Sequence, residues 1–129
     1  AVGEVLIVKP DYREGWLVPG GVVDEDESPL HGAIREVREE TGLDVSTLEL
    51  VGIYYAHKKG VFADSLKFIF YGGVLGDEQV AMIVLQKSEL EEFTFKPIVS
   101  AIPLLTSGLQ HCMLPCLKAI EHKTVAYIE

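Results

Sequence analysis

The chain has 129 residues, 48% of them hydrophobic and 24% charged, the proportions of one globular domain rather than of a disordered or fibrous chain. Lys and Arg number 11 against 20 Asp and Glu, a net charge of -9; such a surface repels nucleic-acid backbones but is compatible with a phosphorylated small molecule bridged by a divalent cation. No apolar run approaches the ~18 residues of a membrane span, no cleavable leader is visible, and Cys112 and Cys116 alone make no disulfide framework, so a cytoplasmic, reduced protein is expected.

Taken in chain order, Val5–Val8 is a β-branched run that predicts a buried strand. Pro10–Gly15 reads as a polar turn and Trp16–Val18 as a second extended piece, ended by Pro19-Gly20-Gly21. A helix follows, with Ser28 as N-cap, Pro29 at its first position and Gly42 placed to end it. Leu30, Ala33, Ile34, Val37 and Thr41 share one apolar face, and Glu36, Glu39 and Glu40 fall together on its flank. Leu48–Tyr55, Leu66–Leu75 and Val80–Leu85 have strand composition, and Phe93-Thr94-Phe95 alternates as a short strand does. Leu104–Ile120 reads as a helix that Pro115 kinks or restarts, and Thr124–Ile128 as a last strand. Strands and helices mix without regular βαβ alternation, which predicts an α+β fold built as an α/β/α sandwich over a single domain, residues 1–129.

The carboxylate flank is where chemistry concentrates. Glu36 and Glu40 are four residues apart and Glu36 and Glu39 three, so the three acids are neighbours on the helix. Such like-charge pairs cost roughly 0.2–0.5 kcal/mol each in an isolated helix, a penalty that a divalent cation reverses. Oxygen donors without Cys or His nearby suit Mg²⁺ first and Mn²⁺ second.

The segment GVVDEDESPLHGAIREVREETGL, Gly21 to Leu43, carries Gly21, Glu27, Arg35, Glu36, Val37, Glu39, Glu40, Gly42 and Leu43 at fixed spacing. It resembles the complete signature of the Nudix hydrolase family, Gly-x5-Glu-x7-Arg-Glu-U-x-Glu-Glu-x-Gly-U with U a bulky aliphatic residue. Chance coincidence is on the order of 10⁻⁹ per window at average residue frequencies. The lead-in Trp16-Leu17-Val18-Pro19-Gly20 is also similar to the family's usual tryptophan and Pro-Gly-Gly.

The resemblance implies a Nudix fold with a mixed β-sheet between helices, and hydrolysis of the pyrophosphate bond of a nucleoside diphosphate linked to another moiety. It implies Glu36 and Glu40 as the principal Mg²⁺ ligands, with Glu39 a further or water-mediated one. Arg35 would hold the acids in place, most simply through Glu39. Glu27 would bind metal through water or orient Arg35, and Gly20 and Gly21 would turn the backbone beside the metal. The general base would come from the signature or from a later loop, where Glu78, Glu89, Glu91 and Glu92 are candidates and Glu89 or Glu92 is preferred. Trp16 is carried as a nucleobase contact.

Other features are better explained as structure: Cys112 and Cys116 as core, with His111 and His122 forming no zinc spacing; His57-Lys58-Lys59 as a basic turn; Tyr54, Tyr55 and Phe62 as core or rim. The family's usual strand ahead of Val5–Val8 is not visible, so residues upstream are expected to be missing. Neither the further motif of NADH-cleaving members nor the proline of many ADP-ribose hydrolases is found, which leaves nucleotide sugars, ADP-ribose, dinucleotide polyphosphates and nucleoside triphosphates as substrates. Alternatives are a sanitising nucleoside triphosphate pyrophosphohydrolase and a nucleotide-sensing module without turnover; the second usually lacks signature carboxylates, and none is lost here. Symmetric dimers are the commonest assemblies, so a homodimer is the expected one although no stretch identifies an interface, and no partner in nucleic acid or membrane is expected.

Overall fold

A computed structural model describes residues 3–57 and 64–129. Lys58, Lys59 and Phe62 lie outside the described residues. Strand β1 (Glu4–Pro10) contains the expected β-branched run, and Ile7 and Val8 are wholly buried. It pairs antiparallel with β4 (Leu90–Pro97), Ile7 opposite Thr94 and Pro10 opposite Leu90. On its other side Val8 and Leu17 exchange backbone hydrogen bonds of 2.7 and 2.8 Å, so the Trp16–Val18 piece is a bridge rather than a full strand.

The second sheet has the order β3-β2-β5, with β2 at Glu49–Ala56, β3 at Ser65–Tyr71 and β5 at Ala126–Ile128. The β2–β3 pair is antiparallel and β2–β5 parallel, so this is the predicted mixed sheet, accompanied by a separate antiparallel pair. β3 is shorter than the expected Leu66–Leu75 because the chain leaves it at Gly72-Gly73, where Gly73 has φ +86°.

Helix α1 (Pro29–Thr41) lies against β3. Its apolar stripe is only half-buried at Ala33, Ile34 and Val37, and Leu30 is exposed. Val80–Leu85 is not a strand. Val80 and Ala81 finish a short helix, α2 (Asp77–Ala81), whose amino end carries Asp77 and Glu78 in its first turn and the Gln79 side chain accepting from Gly76 N at 3.0 Å. Beyond it, Val84 N–H donates to Thr41 O (2.9 Å) and Gln86 N–H to Glu40 O (3.0 Å). These donors satisfy carbonyls that the end of α1 leaves open, instead of entering a sheet ladder.

The carboxy-terminal helix also differs from expectation. A short helix α3 (Ile98–Ala101) and a 3₁₀ turn (Ile102–Leu104) precede α4 (Ser107–His122). The break falls at Leu105–Thr106, where both residues are extended, and not at Pro115, which lies inside one uninterrupted helix. α4 presses Cys112, Cys116 and Ala119 against Val51 and Ile128 of the mixed sheet. Gly52 makes this approach possible: a Cβ there would sit 2.5 Å from Cys116 Sγ. A second core joins Ile7, Ala101 and Leu105, with Leu109 and Met113 of α4 packed on it, so α4 ties the two sheets together.

Candidate active site

The site is built on α1 and the loop before it. Ser28 Oγ accepts from His31 N–H at 3.1 Å, fixing the start of the helix. Gly42, at φ +77°, ends it with its N–H on Arg38 O. Between these caps Glu36, Glu39 and Glu40 project at helical intervals from one rigid element.

Arg35 joins loop to helix. Its Nε and Nη2 donate to the two carboxylate oxygens of Glu27 at 2.8 and 3.1 Å, Nη1 to Glu36 Oε1 at 2.9 Å and Glu39 Oε2 at 3.1 Å, and Nη2 also to Val22 O at 3.1 Å. Asp24 Oδ2 lies 3.4 Å from Nε. The Glu39 contact agrees with the i, i+4 expectation, but the paired grip is on Glu27. Glu27 Oε1 also accepts from Asp24 N–H at 3.0 Å. Both Glu27 oxygens are thus engaged, and the Arg35 hydrogen bonds hold its carboxyl below the usual carboxylate range. The Glu27 contact likewise raises the Arg35 guanidinium above its ordinary value. The geometry favours orientation of Arg35 over metal contact as the work of Glu27.

Glu40 is the exception among the acids, with a relative exposure of 6%. Its Oε1 accepts from Gly20 N–H at 3.2 Å. Burial pushes its carboxyl up to about 8, against the opposing Gly20 hydrogen bond, and Glu36 and Glu89 raise it further by their charge. Glu36 stands over Gly21, where a Cβ would meet its carboxylate at 2.5–2.7 Å and push it aside; that approach is absent from a reading of α1 alone.

Glu89 comes from a distant part of the sequence. Its N–H donates to Gln86 O at 3.2 Å, its carbonyl accepts from Asp11 N–H at 2.9 Å, and Gln86 is itself tied to Glu40 O. Those bonds hold Glu89, an exposed residue, within electrostatic range of Glu40. The other candidates lie elsewhere: Glu78 on α2, Glu91 3.4 Å from Lys9, and Glu92 opposite Lys9 on β4. The signal for Glu89 was its acidic neighbourhood, but the two backbone ties that place it leave no mark in composition.

Among the described residues no three acidic, His or Cys side chains form a preformed metal cage. The donor set nevertheless fits a hard cation. The buried Glu40 carboxyl, raised by its burial and by the charges of Glu36 and Glu89, belongs to a concentration of oxygen donors whose repulsion a divalent ion would relieve. Mg²⁺ commonly takes one or two carboxylates and keeps its waters, so a full protein cage is not required. Trp16 packs on the Ile7, Ala101 and Leu105 core, and its backbone bonds Leu104 O and Thr106 N–H; this packing accounts for it without a nucleobase. Cys112 and Cys116 are free, buried thiols in the core.

Known proteins resemble this chain in sequence and in fold. The family model described as NUDIX domain matches residues 2–110. A MutT-like protein of Streptomyces ambofaciens is 36% identical over 92 residues, 70% of this chain and 60% of that protein. A putative 8-oxo-dGTP diphosphatase of Bacillus subtilis is 35% identical over 78 residues, 60% of this chain and 50% of that one. The chain therefore spans 60% and 50% of the lengths of these two relatives. The crystal structure of a MutT protein from Bacillus halodurans superposes with a TM-score of 0.73 at 23% identity, covering 98% of this chain and 80% of that one, a likeness of fold.

Proposed function

The chain belongs to the Nudix family, and from that premise we propose that it hydrolyses the pyrophosphate bond of a nucleoside diphosphate linked to another moiety, with Mg²⁺, or Mn²⁺ in its place, as the metal. Glu36 and Glu40 hold the ion, and Glu39 adds a carboxylate at longer range, through water. The chemistry supplied by the bound ion is charge neutralisation on the phosphate oxygens and acidification of water. Arg35 fixes Glu36 and Glu39 relative to the loop, and Glu27 in turn fixes Arg35. Gly20 orients Glu40 through its N–H, and Gly21 leaves room for the Glu36 carboxylate.

Glu89 takes the proton from the attacking water and releases it to bulk solvent, a role that needs an exposed carboxylate within reach of the site. Positioning and charge stabilisation carry most of the work in such a displacement at phosphorus, and no protein nucleophile is needed. The observation that carries this reading is the carboxylate cluster on one helix, with Arg35 gripping Glu36 and Glu39 and the buried Glu40 accepting from Gly20 N–H. The relative from Bacillus subtilis whose name specifies an 8-oxo-dGTP diphosphatase supports a nucleotide substrate.

The test is a panel of ADP-ribose, nucleotide sugars, dinucleotide polyphosphates and nucleoside triphosphates, assayed with Mg²⁺ or Mn²⁺ for nucleotide and phosphate products. At least one substrate is expected to turn over, with activity lost in excess chelator and restored by added metal. Turnover unchanged in chelator would overturn the proposal.

A further inference from the structure

The signature fixes Gly21 and Glu27 and leaves the residues between them open, yet that stretch has a definite shape. Glu27 N–H donates to Asp24 O at 3.3 Å, closing a turn over Asp24–Glu27. Asp26, the third residue of the turn, has φ +62°, and Glu25 before it does not share the positive sign. That is the sign pattern of a type II turn, whose third position normally takes Gly or Asn. Among the described residues outside glycine, positive φ is found at Asp26 and Lys123, and Lys123 is the residue that ends α4.

The corner at Asp26 has a direct result for the site. Asp24 N–H donates to Glu27 Oε1 at 3.0 Å, so the Glu27 side chain folds back across its own turn. The same carboxylate meets Arg35 Nε and Nη2 at 2.8 and 3.1 Å. Asp24 Oδ2 stands 3.4 Å from Nε, and Val22 O accepts from Nη2 at 3.1 Å. The loop therefore holds one side of a planar guanidinium, and planarity dictates where the other side points. That side is Nη1, which donates to Glu36 and Glu39 at 2.9 and 3.1 Å.

We propose that Asp26 is a positioning residue for the metal-binding carboxylates: its left-handed backbone delivers Glu27 to Arg35 and, through Arg35, sets Glu36 and Glu39. This rests on the reading of those carboxylates as the metal site. The working feature is the conformation rather than the charge. Most L-residues meet a steric conflict between Cβ and backbone in the left-handed region, β-branched ones most of all. Asp and Asn tolerate it, and Gly adopts it freely. Because Asp26 is exposed, a substitution there opens no cavity, and its effect must travel through the backbone of the turn.

The experiment titrates Mn²⁺, followed by its paramagnetic resonance, into wild type, Asp26→Asn, Asp26→Gly, Asp26→Ala and Asp26→Val, with the melting temperature of each metal-free protein as a control for folding. Asp26→Asn and Asp26→Gly are expected to bind within about twofold of wild type, and Asp26→Val about tenfold more weakly, the low end of what losing a partner that orients a metal ligand costs. Asp26→Ala carries the same conflict in milder form and gives the same ordering should the Val variant fail to fold. In a Glu27→Ala background the route is already cut, so Asp26→Val or Asp26→Ala should cost less than about a further twofold. Wild-type affinity in both the Val and Ala variants would overturn the proposal, as would equal losses in the Asn, Gly and Val variants or an undiminished loss in the Glu27→Ala background. No binding of Mn²⁺ by wild type would fail the metal-site reading and the inference with it, whereas binding that ignores Asp26 would fail the inference alone.

Discussion

Helix α1 with its preceding loop and helix α4 with the mixed sheet are held by different physics. The first is a polar lattice in which Arg35 gathers Glu27, Glu36, Glu39 and Val22 O, and its apolar face is only half-buried. The second is an apolar contact in which Cys112, Cys116 and Ala119 close on Val51 and Ile128. Two glycines mark the contrast. A Cβ at Gly21 and a Cβ at Gly52 would each intrude to 2.5 Å, one on the end of a flexible Glu36 side chain and the other on a short thiol locked in a packed helix. The same local crowding should therefore disturb chemistry in one place and stability in the other.

The largest expected effect lies in the polar region. Glu40→Gln keeps the shape and the acceptor for Gly20 N–H but removes the carboxylate proposed to bind the metal. It should lower turnover by more than about 100-fold, above the range typical of outer-shell changes, with melting temperature preserved; a variant with wild-type rate would break the assignment. Gly21→Ala should displace the Glu36 carboxylate and cost about 10–100-fold in turnover with little change in a denaturation midpoint. Gly52→Ala reverses the pattern. Overpacking against Cys116 should destabilise by about 1–3 kcal/mol on a urea curve, while activity per folded molecule stays near wild type.

A further effect concerns pH. In the metal-free chain the Glu40 carboxyl titrates at about 8 when folded, against an ordinary value of 4.5. Below that ordinary value both folded and unfolded chains hold the proton, and the contribution to stability is complete. As pH rises the unfolded chain loses its proton first, so the contribution declines through the folded value near 8. The melting temperature of chelated protein should fall between pH 5 and 8, and Glu40→Gln should flatten that slope. An equal slope in both proteins would place its origin elsewhere.

Much of this architecture was legible where its causes are local. Ser28, Pro29 and Gly42 announce α1 because caps act within a few residues, and β-branched runs announce β1, β2 and most of β3. Residues Val80–Leu85 misled because a short apolar run has no distinguishing period, and its fate was decided by acceptors on α1, some 40 residues earlier. Pro115 suggested a break, but the helix runs through it and the interruption comes at Leu105–Thr106. In the site, signature spacing identified Arg35 and its acids, yet it emphasised Glu39 where Glu27 makes the two-point contact. It could not choose between Glu89 and Glu92, since that distinction depends on the Asp11 and Gln86 ties.

The bonds from Val84 and Gln86 to the last carbonyls of α1 have a dynamic consequence. Helix ends ordinarily fray, and fraying would carry Glu40 away from Gly20 and Glu36. Here the terminal turn cannot open without also releasing the segment that leads to Glu89, so local unfolding of one implies release of the other. Hydrogen exchange at the Val84 and Gln86 amides, in a stretch without regular structure, should accordingly be as slow as at the helix amides they guard, and the carboxylates should move as one cooperative unit.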